Sequence, residues 1–381
     1  MLEFLVLNIL NIINITILIL ILVLVIIPSR YENLLKKIAL RGSTFIFGLS
    51  LILWLFFNKE TISFQYVKTY KWLSIMNIEY TIGVDGLSLF FIILTAFLIP
   101  ICILSTWEAV KERVKEYLII LFFIEFFVIQ VFSILDLFLF YIFFEAILIP
   151  MFLLIGVWGS RVERIDAALK FFFYTLIGSL FMLIGIFLVY KITGTTNFFI
   201  ILNTEFNIQS QKIIWLLFFF GFAIKIPMIP FHIWLPQAHV EAPTSGSILL
   251  AGILLKLGGY GLIRFNVTMF PIACQYFLPL VYTLCILGIF YASLTTIRQV
   301  DLKRIIAYSS VAHMNYVVLG IFSNTILGIE GSIFLMISHG IVSSALFIFI
   351  GLLYERYNTR SIFNFSGLTQ IMPKGSFFFF F

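Results

Sequence analysis

Apolar residues in this chain do not alternate with polar ones; they come in long runs. Runs long enough to cross a bilayer as helices lie near residues 4–27, 42–57, 86–106, 117–133, 137–157, 167–190, 213–231, 245–264, 271–296, 304–322 and 328–354. A helical crossing takes ~20 apolar residues. The closing GSFFFFF reads as the beginning of a twelfth span. Residues 58–84 form a longer loop, with Trp72 and Tyr80 placed as anchors at the membrane interface. The pattern predicts an all-α polytopic membrane protein.

Composition agrees. Of 381 residues, 62% are hydrophobic and 11% charged, whereas a soluble domain has roughly 25% charged residues. The first run follows Glu3 with no leading Lys or Arg, which fits a retained helix rather than a cleaved signal or transit peptide. That suits a bacterial membrane or a protein made inside an organelle. Cys102, Cys274 and Cys285 all fall in apolar runs without CxxC spacing and read as small buried hydrophobes. Two sequons, at Asn14 and Asn266, fall in or beside spans and read as chance matches.

The net charge of +6 is not a nucleic-acid signal, because the cations sit in short loops between spans. Lys59, Lys68, Lys71, Lys191, Lys212 and Arg264 fall on one side of the membrane. Sixteen others fall on the opposite side, and Lys225 and Lys256 lie inside spans. The positive-inside rule puts the richer side in the cytoplasm or matrix and the N-terminus in the periplasm or intermembrane space.

The chemistry concentrates in residues 221–261. This stretch holds Lys225, Lys256, His232, His239 and Glu241 together with Pro227, Pro230, Pro236 and Pro243. A lysine at membrane depth costs at least ~2.5–3.5 kcal/mol and marks an ion or proton path. Prolines 227 and 230 predict a broken helix, tolerated at that depth only inside protein or beside water. Elsewhere Glu125, Glu145, His313 and His339 lie within spans, so six helices carry a titratable group near mid-membrane. Glu125 and His313 are read either as relay groups or as packing partners. His232 and His239, at the expected membrane edge, are read as solvated or backbone-bonded. For Glu145, Lys225 and Lys256 an idle role is hardest to defend, since leucine would be cheaper.

A Glu–Lys pair of adjustable separation is a switchable proton carrier. Burial disfavours the ammonium form, and a carboxylate at ~7 Å restores it by ~2.4 kcal/mol at an effective dielectric of ~20. Other chemistries lack their motifs: there is no P-loop, dinucleotide fingerprint, zinc spacing or iron–sulfur cysteine set. Two intramembrane histidines suit a haem, but that leaves Glu145 and both lysines unexplained.

The stretch KIPMIPFHIWLPQAHVEAPTSGSILLAGILLKLGGYG resembles the signature of the antiporter-like membrane subunits of respiratory complex I. FYIFFEAILIP, GVDGLS, RQVDLKRIIAYSSVAHM and MISHG match as well, over residues from about 80 to 373. The resemblance implies a proton-pumping subunit of about fourteen helices with two inverted five-helix repeats, each holding one broken helix. By matching motif, Glu145 is the glutamate beside the broken helix, Lys225 the lysine of that helix and Lys256 the central lysine between half-channels. His313 and His339 match histidines of the second half-channel. NADH, FMN, iron–sulfur clusters and ubiquinone are then held by partner subunits, with no cofactor or metal in this chain. The division implied is residues 1–116 as N-terminal helices, 117–266 as the first repeat and 267–381 as a partial second repeat. Family members continue past the SFFFFF end through a second broken helix. A fragment, a split protein completed by another chain, or a fault at the homopolymer would each account for the difference.

Three functions remain open on sequence. One is a proton-translocating complex I subunit in the mitochondrial inner membrane or a bacterial plasma membrane, among other membrane-arm subunits and lipids. The second is a subunit of a cation/proton antiporter or membrane-bound hydrogenase complex. The third is a scaffold whose charges only lock helices together.

Overall fold

The computed structural model describes residues 8–380. Its helices are α1 (Ile9–Ile26), α2 (Glu32–Leu55), α3 (Gly86–Ser105), α4 (Val114–Ser133), α5 (Leu137–Trp158), α6 (Arg164–Thr193), α7 (Ile208–Lys225), α8 (Trp234–Glu241), α9 (Thr244–Val267), α10 (Pro271–Arg298), α11 (Leu302–Ile321) and α12 (Ile326–Tyr357). Ten helices among the described residues are long and apolar enough to cross a membrane. The twenty-residue α11 is more polar and packs between α10 and α12. The helices run up and down between two ends. One end holds the cation-rich loops near residues 30, 111, 161, 300 and 358; the other holds a β-hairpin.

That hairpin corrects the expected loop over 58–84. Strands β1 (Gln65–Leu73) and β2 (Ile78–Val84) pair antiparallel, with Thr69 opposite Thr81 and Tyr70 opposite Tyr80. Trp72 is exposed, but Tyr80 is not a free anchor: its hydroxyl donates to Gln130 Oε1 at 2.6 Å. Burial pushes the phenol up to about 12 against the effect of that bond, so it stays protonated. The second apolar run also begins earlier than expected, at Glu32, because the Lys and Arg of its first turns project past the apolar core into the polar end. The part of the first run at 4–7 lies outside the described residues, as does Phe381; residues Pro373–Phe380 form a short helix.

Aspartates start several spans. Asp85 accepts from the Ser88 amide at 2.9 Å, Asp136 from Phe138 and Leu139 at 3.0 Å, and Asp301 from Lys303 at 2.8 Å. Each satisfies amides left free at a helix N-terminus.

Small residues set the central packing. A Cβ on Gly221 would sit 3.1 Å from the Gly178 carbonyl oxygen, so α6 and α7 touch backbone to backbone there. A Cβ on Gly258 would lie 2.5 Å from Ile226 Cγ1 and 3.1 Å from the Phe222 carbonyl oxygen. Gly258→Ala should therefore push α9 off the end of α7 and destabilise the subunit by ~1–3 kcal/mol. A lower thermal transition of the purified assembly, with its partner subunits unchanged, would register the loss.

Candidate proton-relay site

The broken helix forms where sequence places it, with one correction. The run expected at 213–231 ends as a helix at Lys225, and irregular backbone follows until α8. Pro227 and Pro230 cannot donate hydrogen bonds, so the helical ladder cannot pass them. The freed groups find other partners: the Trp234 indole donates to the Ile224 carbonyl at 3.0 Å, and the Met228 amide to the Ala223 carbonyl at 2.9 Å. The break thus presents the last side chain of α7, Lys225, to the protein interior.

Lys225 is 2% exposed. Its ammonium lies 4.3 Å from the Phe144 ring centre and makes no hydrogen bond. Glu145, next to Phe144 on α5, is within electrostatic range of Lys225, and its Oε1 has no hydrogen-bond partner. None of the three ion pairs among the described residues joins the two. Glu145 and Lys225 are therefore coupled across a gap, the arrangement in which separation tunes charge.

A second group lies on α9. Two π-helical segments, Leu250–Leu254 and Leu262–Val267, flank the α-helical turns that hold Lys256. Such widened turns favour functional positions because they displace backbone carbonyls from the ladder. The Lys256 ammonium donates to one of them, Ala251, and lies 2.8 Å from His339 Nδ1 on α12. Lys256 is 0% exposed. The His339 ring is 5.7 Å from that of His313 on α11. Both histidines line a cavity of about 170 Å³ with Ser309, Ser310, Ser338 and Ser343. Ile306, Leu335, Val342 and Leu346 complete the lining, and His313 is exposed at the mouth, so this is a half-open and largely apolar cleft with a polar stripe.

The remaining candidates divide. His239 is 0% exposed and stacks on Phe347 at 4.6 Å, within electrostatic range of Lys256. The solvated or backbone-bonded reading does not hold for it, because it is buried and neither ring nitrogen has a hydrogen-bond partner. His232 is also buried, with its ring 5.3 Å from that of Tyr291, away from the relay. Glu125 is fully buried with neither carboxylate oxygen hydrogen-bonded, and its electrostatic neighbour is Cys102. Glu241 sits near Arg161 and Arg360 at the cation-rich end.

Sequence reading missed several anchors. Lys303 and Arg360, counted among loop cations, are buried: they donate to the Ala242 and Val240 carbonyls at 2.7 and 2.5 Å and so cap the end of α8. Arg264, also counted as a loop cation, is buried against Asp85 at 2.7 Å. Burial alone would raise the Asp85 carboxyl, but the Arg264 guanidinium and hydrogen bonds with Ser88 outweigh it and hold the group below the usual carboxylate range. The signal for Asp85 was present in GVDGLS, an Asp three residues before a Ser at a helix start.

Comparison with known proteins bears on this geometry. The family described as NADH:quinone oxidoreductase/Mrp antiporter, TM matches residues 135–381. NADH-ubiquinone oxidoreductase chain 4 of Chondrus crispus is 56% identical over 375 residues, covering 98% of this chain and 76% of the relative. The chain belongs to the chain 4 family of NADH-ubiquinone oxidoreductase. The chain 4 of Marchantia polymorpha is likewise 56% identical, over 92% of this chain and 70% of its own. Among solved structures, respiratory complex I from Thermus thermophilus matches with TM-score 0.86 and 27% identity, over 97% of this chain and 76% of that one. The Mrp complex from Dietzia sp. shares the fold, with TM-score 0.83 and 21% identity over 96% of this chain and 40% of that one.

Proposed function

We propose that this chain is a proton-translocating antiporter-like subunit of the membrane arm of NADH:ubiquinone oxidoreductase, in the mitochondrial inner membrane. The observation that supports this most is Lys256: a lysine with no exposure, held against His339 beside a cleft to which both histidines and four serines contribute. A buried ammonium bonded to a titratable ring is a proton donor and acceptor in one contact.

The relay then works in two stages. Glu145 sets the charge on Lys225 from across their gap. When that attraction weakens, Lys225 releases its proton toward Lys256, on the helix that packs against the end of α7 through Gly258. Lys256 hands it to His339, and His313 receives it through the cavity. Residues 117–266 act as the first repeat and 267–381 as part of the second. The cation-rich end faces the matrix, which puts the hairpin and the N-terminus in the intermembrane space. Partner subunits hold NADH, FMN, iron–sulfur clusters and ubiquinone, and quinone reduction there supplies the driving force.

A second reading, a subunit of a cation/proton antiporter complex, is favoured by the shared fold with the Mrp complex. Co-purification separates the two. Isolation through a tag on this chain should bring down NADH-oxidising, iron–sulfur-containing subunits. Recovery of antiporter subunits without redox centres would overturn the first reading.

A further inference from the structure

We propose that Arg264, held by Asp85, is a fixed, non-relaying plug that closes the hairpin end of α9 to protons, so that a proton on Lys256 can leave only sideways through His339 and His313. The inference rests on the relay reading and adds a direction to it.

Lys256, Tyr260 and Arg264 are spaced by four residues and so share one face of α9. Arg264 stands ~12 Å beyond Lys256 toward the hairpin end. That face is the shortest line from Lys256 to the hairpin side, and three features block it. The Tyr260 hydroxyl donates its single proton to the Phe132 carbonyl at 3.1 Å and accepts from Arg264 Nε at 3.2 Å, so it has no proton to pass on. The guanidinium lies 4.9 Å from the Phe64 ring centre, 5.1 Å from that of Tyr260 and 5.7 Å from that of Phe198, so aromatic faces occupy the space a water column would need. An arginine does not deprotonate in proteins, so it cannot relay a proton. Because Asp85 balances its charge, the barrier is not long-range repulsion but a guanidinium that can neither release nor pass on a proton.

The pairing explains how such a charge is kept in place. Arg264 Nη2 meets Asp85 Oδ1 at 2.7 Å, and Asp85 is fixed in turn as the cap of α3 by Ser88. The plug is thereby tied to three helices: α9 directly, α3 through Asp85 and α4 through Tyr260 and Phe132. The sideways route differs in kind, with a 2.8 Å contact to His339 and, beyond it, an open cleft that carries His313 and four serines.

The test uses the intact complex reconstituted in liposomes, with passive proton conductance read by an entrapped pH dye in the absence of NADH. Asp85→Asn with Arg264→Gln removes both charges together and leaves no unpaired buried charge. It should raise passive leak severalfold and lower the protons moved per electron, with uncoupled NADH:quinone electron transfer unchanged. Arg264→Gln alone, which leaves the α3 cap intact, should leak similarly and gives the answer where the double variant does not assemble. Arg264→Lys keeps the cation and should remain tight. Adding Lys256→Met to the leaky variant should close the leak again. Native tightness in both charge-removed variants would overturn the plug, leaving Arg264 a structural pin. A leak that survives Lys256→Met would also overturn it, by placing the route elsewhere. Neither result touches the relay itself, which stands or falls on Lys256→Met in the native background.

Discussion

A complex carrying Glu145→Gln or Lys225→Ala is expected to assemble and to oxidise NADH, but to lose most of the proton movement this subunit contributes. The two side chains face each other across a gap, so their interaction is electrostatic and adjustable. At separations near ~7 Å such coupling is worth ~2.4 kcal/mol, about a fiftyfold change in the balance between proton-loaded and proton-free lysine. Glu145→Gln removes that bias while keeping the shape of the side chain. Lys225→Ala removes the carrier at the helix break, where the Trp234 and Met228 contacts still satisfy the backbone. Assembly should survive both changes, because Lys225→Ala removes the buried cation and, after Glu145→Gln, the unpaired Lys225 can shed its proton and stay neutral. Proton uptake per electron, measured in proteoliposomes beside the rate of NADH oxidation, separates pumping from catalysis. Native stoichiometry in both variants would remove Glu145 and Lys225 from the account.

Lys256→Met should have an equally large effect. Methionine matches the length of the lysine stem and suits the apolar surroundings, so stability should hold or rise once a buried charge is gone. The contact with His339 disappears, and with it the bridge between the two groups of titratable residues. Transport through this subunit should fall by tenfold or more, the order expected when a proton-transfer group is removed. Adding His339→Leu should then make little further difference, because two residues of one pathway cannot each be lost in full. Additive losses from the two substitutions would mean that Lys256 and His339 serve separate routes.

Much of this fold is legible in the sequence, because a bilayer demands long apolar runs and the eye finds them. Helix ends were less legible. The α2 start at Glu32 was hidden because Lys36, Lys37 and Arg41 look like loop residues, whereas their stems can lie along a helix with the charges at its polar end. The hairpin was hidden because β1 is largely exposed and too polar for an apolar pattern to betray it. The lysines of the site were conspicuous as charges in oil, and the prolines marked the break. What sequence could not show is which of six charged spans face one another. His239 and His232 lie seven residues apart on either side of the α8 start, yet only His239 is brought within range of Lys256. Lys303, Arg360 and Arg264 passed as loop cations, because whether a cation at a span's end is solvated or buried depends on what folds over it.

Charge held inside the membrane for protons to use requires water to connect it. The most direct measurement is a cryo-EM map of the assembled complex at a resolution that shows ordered water. The account predicts waters between Ser309, His313, Ser338 and His339, and further waters joining the Glu145–Lys225 gap to Lys256. A dry interior between these groups, with the His313–His339 cavity filled by lipid or side chains, would contradict it.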